Sequence, residues 1–272
     1  MAVVNTNINA LFAQSALKAN SRDLNSAIQQ LSSGSRINSA KDDAAGLAIA
    51  NTMTSQIRGL SQAVRNANDG ISMLQTAEGA MSEQSNILQR MRELAVQAST
   101  STNSTDQRGY LDTEFSALQD QLTSIASNTT WNGTTILDGS ASASVIQVGA
   151  NSGQVITVSV ANVDISSSGL AVSGSLTSTT VASTAIGVIN TALDTLNSAR
   201  ATIGSGISRL TYAADNMTNM VQNYSASRSQ IADTDYATAT SNMARAQIIQ
   251  QAATAMLAQA NQSPQYVLAL LK

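Results

Sequence analysis

Residues 42–98 contain no proline and place apolar side chains at Met53, Ile57, Leu60, Val64, Ala67, Ile71 and Leu74, in alternating four- and three-residue steps. That alternation is the seam of an α-helix packed lengthwise against other helices. After Leu74 the register slips, and Ala77, Met81, Leu88, Met91, Ala95 and Ala98 carry the seam on, with two three-residue steps meeting near Gly79. Such a slip overwinds a coiled coil locally without ending it, and it suits a rod that changes neighbours. At about 1.5 Å per residue this helix is expected to be about 80 Å long, beyond the usual helix of a globular domain. It needs packing partners all along its side.

One partner is legible further on. Ile186, Ile189, Leu193, Leu196, Ile203, Ile207, Leu210, Ala214, Met217, Val221, Tyr224 and Ile231 keep one helical register, interrupted only by Arg200 and Arg228. Gly204 and Gly206 weaken this helix by about 1 kcal/mol each relative to Ala and leave room for a close neighbour. Asp233-Thr234-Asp235 reads as a break and a new N-cap. A last helix over residues 236–262 follows, with Met243, Ile249, Ala253, Met256 and Ala260 on its face. Pro264 biases Ser263 out of the helix, leaving an apolar tail that includes Val267, Leu268, Leu270 and Leu271.

At the other end, a helix over residues 5–32 carries a patchy apolar stripe of Ile8, Leu11, Phe12, Leu17, Leu24, Ile28 and Leu31. Gly34 supplies its stop, because glycine takes the left-handed conformation cheaply. After the linker Arg36-Ile37-Asn38, Ser39-Ala40-Lys41-Asp42 has the form of a capping box. Asp42 and Asp43 thus read as helix initiators, and as an acid pair they fail because adjacent helical residues do not face each other. A third helix over residues 105–127 places Tyr110, Leu111, Phe115, Leu118, Leu122 and Ile125 on one side. Residues 128–139 read as irregular, with Trp131 packing at the end of the bundle. Then the period becomes two: residues 145–148 and 154–160 alternate around Ala150-Asn151-Ser152-Gly153, which predicts a hairpin. Residues 163–185, rich in Ser, Thr and Gly, read as loop with one further short strand. The fold class is therefore mainly α: long antiparallel coiled-coil rods from both termini, with a small β-hairpin region in the middle, at their far end.

Composition narrows the function. The chain of 272 residues has no histidine and no cysteine, removing the commonest general base and all thiolate chemistry. With no paired carboxylates across a cleft either, an enzyme is not expected, nor is any cofactor or metal. A net charge of −3 argues against nucleic acid, and no apolar run is long enough to span a membrane. The N-terminus lacks the basic and apolar regions of a Sec-type signal peptide. The outer faces of the rod hold Ser55, Gln56, Ser61, Gln62, Asn66, Asn68, Ser72, Gln75 and Thr76 where a free coiled coil would carry Glu and Lys. Uncharged polar faces can be buried at modest cost, so they are expected to touch other protein. Contacts of that kind that do not close generate a helical filament.

The run from Leu31 through Ser39-Ala40-Lys41-Asp42-Asp43-Ala44-Ala45-Gly46-Leu47-Ala48-Ile49-Ala50 closely resembles the N-terminal signature of bacterial flagellin. So do Arg65-Asn66-Ala67-Asn68-Asp69-Gly70-Ile71 and Gln89-Arg90-Met91-Arg92-Glu93-Leu94-Ala95, and, near the other end, Ile231-Ala232-Asp233-Thr234-Asp235-Tyr236 and Ala246-Gln247-Ile248-Ile249-Gln250. The resemblance covers residues 1–140 and 186–272 and implies a short form lacking large outer domains. It implies inner-core terminal helices at 1–38 and 234–272, an outer-core helical rod at 39–140 and 182–233, and a hairpin with Ser/Thr-rich loop at 141–181. It implies a structural subunit of the motility filament, secreted unfolded by the flagellar type III route to an extracellular flagellum. Its expected partners are other copies of itself, the filament cap and hook-associated proteins, and an export chaperone at the C-terminal arm. A hook–filament junction protein is the alternative, sharing the arms but not usually the full signature. Assembly residues carried over are Ile8, Leu11, Arg36, Asn38, Asp42, Asp43, Val267, Leu268, Leu270 and Leu271. By motif match, Gln89, Arg90, Leu94 and, on the third helix, Glu114 would meet the flagellin-sensing Toll-like receptor. Arg90 and Glu93 also form a permitted i,i+3 pair that can support the helix alone.

Overall fold

The structure, a computed structural model, describes residues 6–141, 143–166 and 169–269, with side chains as far as residue 262. Five helices carry it: α1 (Ile8–Ser33), α2 (Ala44–Ala98), α3 (Thr105–Asn128), α4 (Thr179–Ala232) and α5 (Tyr236–Ala269). Between α3 and α4 lie two strand pairs, β1 (Thr130–Trp131) with β2 (Thr134–Thr135), and β3 (Ser144–Gln147) with β4 (Val155–Val158). The chain divides into two compact units, Met1–Ser55 with Asn223–Lys272, and Gln56–Gln222.

The second unit holds the core. Leu74, Met81, Leu88 and Met91 of α2, Phe115 and Leu122 of α3, and Ile189 and Leu196 of α4 are all fully buried. Leu74, at the meeting of two three-residue steps, is fully buried, whereas the seam positions Val64 and Ile71 before it are half-buried and Ala63 and Ala67 lie inside. Within the unit α2 and α4 run antiparallel, as the two seams predict. Ascending positions on one meet descending positions on the other: Gly70 approaches Leu210, Leu74 approaches Gly206, Glu78 pairs with Arg200, and Arg92 donates to Asn190.

The slip near Gly79 coincides with a change of neighbours. Before it, Gly59 and Gly70 lie against Ala150 and Ile146 of the hairpin region. After it, Gln84 Nε2 donates to the Val163 carbonyl at 3.2 Å and Arg90 pairs with Glu114 of α3 at 2.9 Å. The buried face of α2 widens there, taking in Gln84 and Ser85 beside Met81 and Leu88, because it now has partners on two sides.

The hairpin forms in the predicted place, pairing Ser144 with Val158 through Gln147 with Val155. Its position differs from expectation. It does not sit at the far end of the rods but lies back along α2 and α4, with Val158 beside Gly206 and Ala150 beside Gly59. Two strands cannot persist alone, and the open surface beside these glycines is where they find apolar cover. Residues 128–139 are likewise not irregular: Asn132 (φ 49°) and Gly133 (φ 80°) close β1 onto β2. Two consecutive left-handed residues define the hairpin turn for which Asn-Gly is the preferred pair. Trp131 is half-buried along the middle of α2, near Gly70 and Met73, rather than at the bundle's end. Among the described residues of 163–185 there is no strand, and helix α4 starts at Thr179, with Ser178 Oγ accepting from the Val181 N–H. Val172 and Leu176 are buried, held to α3 by Gln119 and Asp112.

The first unit pairs α1 with α5. The described residues buried in it are few and mostly small: Asn20, Ala27, Ile37, Gly46, Ala50, Ala239 and Ala246. Two asparagines set the register, since Asn20 Nδ2 donates to the Ala246 carbonyl at 2.8 Å and Asn7 Nδ2 to that of Ala260 at 2.7 Å. Helix α5 does not stop near residue 262 but continues through Pro264 to Ala269. Proline takes away the N–H that would bond the Ala260 carbonyl, and Asn7 supplies a donor to that carbonyl from the neighbouring helix.

Candidate functional site

Asn7 begins the α1 side of the pair, its Oδ1 capping the helix through the Ala10 N–H at 3.0 Å. Because the α1–α5 seam is made of alanines and asparagines, the large side chains point elsewhere. Ile8, Leu11, Phe12 and Ile28 of α1 and Ile248, Ile249 and Met256 of α5 are exposed, Phe12 to 77%. An open groove of about 620 Å³ lies between the helices, walled by Phe12, Ala13, Ala16, Ala253 and Met256. Soluble chains seldom leave so many large apolar groups in water unless another surface covers them. Ile8 and Leu11 are among these exposed side chains. The side chains of Val267 and Leu268, and Leu270 and Leu271 altogether, lie outside the described residues.

The α1–α2 and α4–α5 linkers are fastened to each other. Arg36 N–H donates to the Ala232 carbonyl at 2.7 Å, Thr234 N–H to that of Gly34 at 2.9 Å, and Ser35 bridges Asp233. The Arg36 guanidinium adds a bond to the Ile231 carbonyl. Gly34 stands at φ 69° as the C-cap of α1, with the Tyr236 hydroxyl in the space a Cβ would approach. Asn38 Nδ2 donates to the Ser35 carbonyl at 3.1 Å and steadies the same turn.

The capping box divides between two residues. Asp42 Oδ2 accepts from the Ser39 hydroxyl at 2.9 Å and the Ser39 N–H at 3.0 Å, closing a turn ahead of the helix. Asp43 caps α2, its Oδ1 accepting from the Gly46 N–H at 2.8 Å. Ser39 is therefore not the N-cap of α2, because the hydroxyl is spent on Asp42. That bond, with backbone donors from Ser39 and Asn38, lowers the Asp42 carboxyl below its ordinary value. Asp235 caps α5 as predicted: the Thr238 hydroxyl and the Ala237 and Thr238 N–H groups depress its pKa. Asp138 is held at about 2 by the hydroxyls of Ser140 and Thr135.

A third group stands on α2 and α3. Arg90 pairs with Glu114 at 2.9 Å and with Glu93 at 3.0 Å, and these carboxylates, Glu114 foremost, raise its pKa. Gln89, Arg90, Glu93 and Glu114 are exposed, and the last three are joined by their ion pairs. Leu94 is 1% exposed and belongs to the core beneath them; a partner reaches it only by displacing what covers it. Arg108 Nη1 donates to the Thr100 carbonyl, and Ser104 forms a capping box with Gln107 at the turn into α3.

Two features escaped the sequence reading. The Glu78–Arg200 bridge explains why an arginine occupies a seam position: half-exposed, it meets a carboxylate across α2 and α4. The arginine's place in the seam was visible, but Glu78 gave no sign of its partner. The fastening of the two linkers had no signal, because it is made mainly of backbone groups that any residues would present.

Two helical arms from opposite ends of the chain pair with each other and leave large apolar side chains exposed, a pattern of subunits that pack against further copies. Residues 4–142 match the family model described as the bacterial flagellin N-terminal helical region, and residues 186–271 the bacterial flagellin C-terminal helical region. The chain belongs to the bacterial flagellin family. A flagellin of Halalkalibacterium halodurans is 43% identical over 271 residues, 99% of this chain and the whole of that relative. Flagellin A of Vibrio anguillarum is 52% identical over 160 residues, 59% of this chain and 42% of that longer protein. The crystal structure of Bacillus cereus flagellin superposes with a TM-score of 0.52 at 35% identity, covering 58% of this chain and 93% of that one.

Proposed function

We propose that this chain is a structural subunit that polymerises with copies of itself into the helical filament of a bacterial flagellum, outside the cell, and carries out no chemistry. The observation behind this is the α1–α5 pair, which buries little but alanine and asparagine while Ile8, Leu11, Phe12, Ile248, Ile249 and Met256 stay exposed. In this reading residues 1–38 and 234–272 form the inner core of the filament, 39–140 and 182–233 its outer core, and 141–181 the outward surface. The uncharged faces of α2, exposed at Ser55, Gln62, Asn68, Ser72, Gln75 and Thr76, meet neighbouring subunits. Filament cap and hook-associated proteins bind the same arms at the filament's ends. An export chaperone holds the C-terminal arm before secretion, which suits arms that are incomplete alone.

The test is growth from seeds. Purified monomer added to filament fragments is expected to extend them into long helical fibres seen by electron microscopy, and no extension at any salt concentration overturns the reading. A second reading has its own observation. Gln89, Arg90 and Glu114 form an exposed charged surface with Leu94 supporting it from behind, a surface that the flagellin-sensing Toll-like receptor would meet on free monomer.

A further inference from the structure

We propose that Met256 is an oxidation site whose sulfoxide stops the apolar face of the α1–α5 pair from docking another subunit. This rests on the self-assembly reading above. Among the described methionines, Met81 and Met91 are fully enclosed, Met217 and Met73 are buried, Met53 and Met243 are half-buried and Met220 is 36% exposed, whereas Met256 is 64% exposed. Met256 also stands where a polar atom does most harm. It walls the groove with Phe12, Ala13, Ala16 and Ala253, with Asn9 and Gln259 also on the lining.

The chemistry needs only a two-electron oxidant of the peroxide or hypohalous acid class. With hydrogen peroxide, the thioether sulfur gives an electron pair to one peroxide oxygen, the O–O bond breaks, an S–O bond forms, and the other oxygen leaves as water. Sulfur is oxidised and peroxide reduced, with no other reactant. The product replaces a flexible apolar group by a polar, chiral one. In the monomer that change costs little, because water solvates the new oxygen. Once a second apolar surface covers the groove, the oxygen is stripped of water and faces methyl and phenyl groups, which is unfavourable. Oxidation therefore leaves the fold intact and acts on docking. Assembly, in turn, shields the sulfur.

Partial oxidation of monomer by hydrogen peroxide, followed by peptide mass spectrometry, is expected to give Met256 sulfoxide roughly tenfold faster than at Met81 or Met91. Seeds added to such a mixture should incorporate the unmodified chains, leaving Met256 sulfoxide enriched in the supernatant and depleted in the pelleted filament. Met256→Leu, which nearly conserves volume, should retain a larger share of its own untreated growth rate after a peroxide dose that halts the wild type, while Met220→Leu remains sensitive. In finished filaments Met256 should oxidise several-fold more slowly than in monomer. Equal sulfoxide at Met256 in pellet and supernatant overturns the inference, as does a Met256→Leu chain as sensitive as the wild type. If untreated wild type fails to extend seeds, the assembly reading falls and takes the inference with it.

Discussion

Gly204 and Gly206 lie two residues apart in α4, yet alanine at the two positions is expected to act differently. A Cβ at Gly204 would have nothing within 4 Å, whereas at Gly206 it would meet Leu74 Cδ1 at 3.3 Å and Val158 Cγ1 at 3.4 Å. Alanine is favoured over glycine in a helix interior by about 0.8–1.0 kcal/mol. Gly204→Ala realises that gain in open space and should stabilise the monomer by about 1 kcal/mol. At Gly206 the same gain is set against a methyl added to a filled site between α2 and β4, where overpacking costs about 1–3 kcal/mol. The net result there is between zero and clear destabilisation, so the two variants should differ by about 1 kcal/mol or more. Urea unfolding of the monomer, followed by circular dichroism, reads this as a raised midpoint for Gly204→Ala and an unchanged or lowered one for Gly206→Ala, at unchanged slope. Equal shifts for the two variants, in either direction, would refute the account of how α4 packs. Seeded growth of the Gly204→Ala protein adds a second readout. A chain more stable as monomer but slower to assemble would show that the open space at Gly204 is filled by a neighbouring subunit.

Leu94→Ala empties a fully enclosed position and should cost about 2–5 kcal/mol of monomer stability, whereas Arg90→Ala should leave the unfolding midpoint in place while weakening receptor signalling. Unchanged signalling would remove Arg90 from that surface. The carboxyls of Asp42, Asp138 and Asp235 are held below their ordinary value, so each binds its proton more weakly folded than unfolded. Their contribution is present above the ordinary carboxylate value of about 4 and is lost as pH falls below it, for Asp138 toward about 2. Amide exchange at Ala237 and Thr238, corrected for its intrinsic pH dependence, should accelerate as pH falls below the ordinary carboxylate value and the Asp235 carboxylate takes up its proton, and a flat profile would contradict the capping role of Asp235. Removing residues 267–272 should prevent assembly while leaving the long helices folded; loss of the whole circular dichroism signal would contradict that division.

The antiparallel α2–α4 pairing was legible because a seam in strict three- and four-residue steps can be satisfied only by another seam. The start of α2, the cap at Asp235 and the β3–β4 hairpin were legible because they depend on residues next to each other in sequence. What escaped was tertiary. Pro264 predicts a helix end, yet the helix persists with Asn7 donating to the Ala260 carbonyl from 253 residues away. The place of the hairpin depended on Gly59, Gly70 and Gly206, whose missing side chains give no signal of what will fill the space. The Asn132-Gly133 turn, by contrast, was missed although its signal was local. Of the candidate surfaces, the exposed stripe of α1 could be read from its excess of apolar residues over available partners. The burial of Leu94 could not, because its position relative to α3 sets its environment.

The pairings that hold these arms together are among the longest-range contacts a chain can make. Asn20 meets residue 246, Arg36 meets residue 231 and Glu78 meets residue 200, separations of 226, 195 and 122 residues. Contacts of that separation form late and slowly, because a large loop must close before any of them is rewarded. While the chain is delivered from its first residue onward, α1 has no mate until α5 follows, and the first half of α2 waits for α4. Topology therefore makes the α1–α5 pair the last contact to close, because neither helix can pair before the final helix of the chain is present.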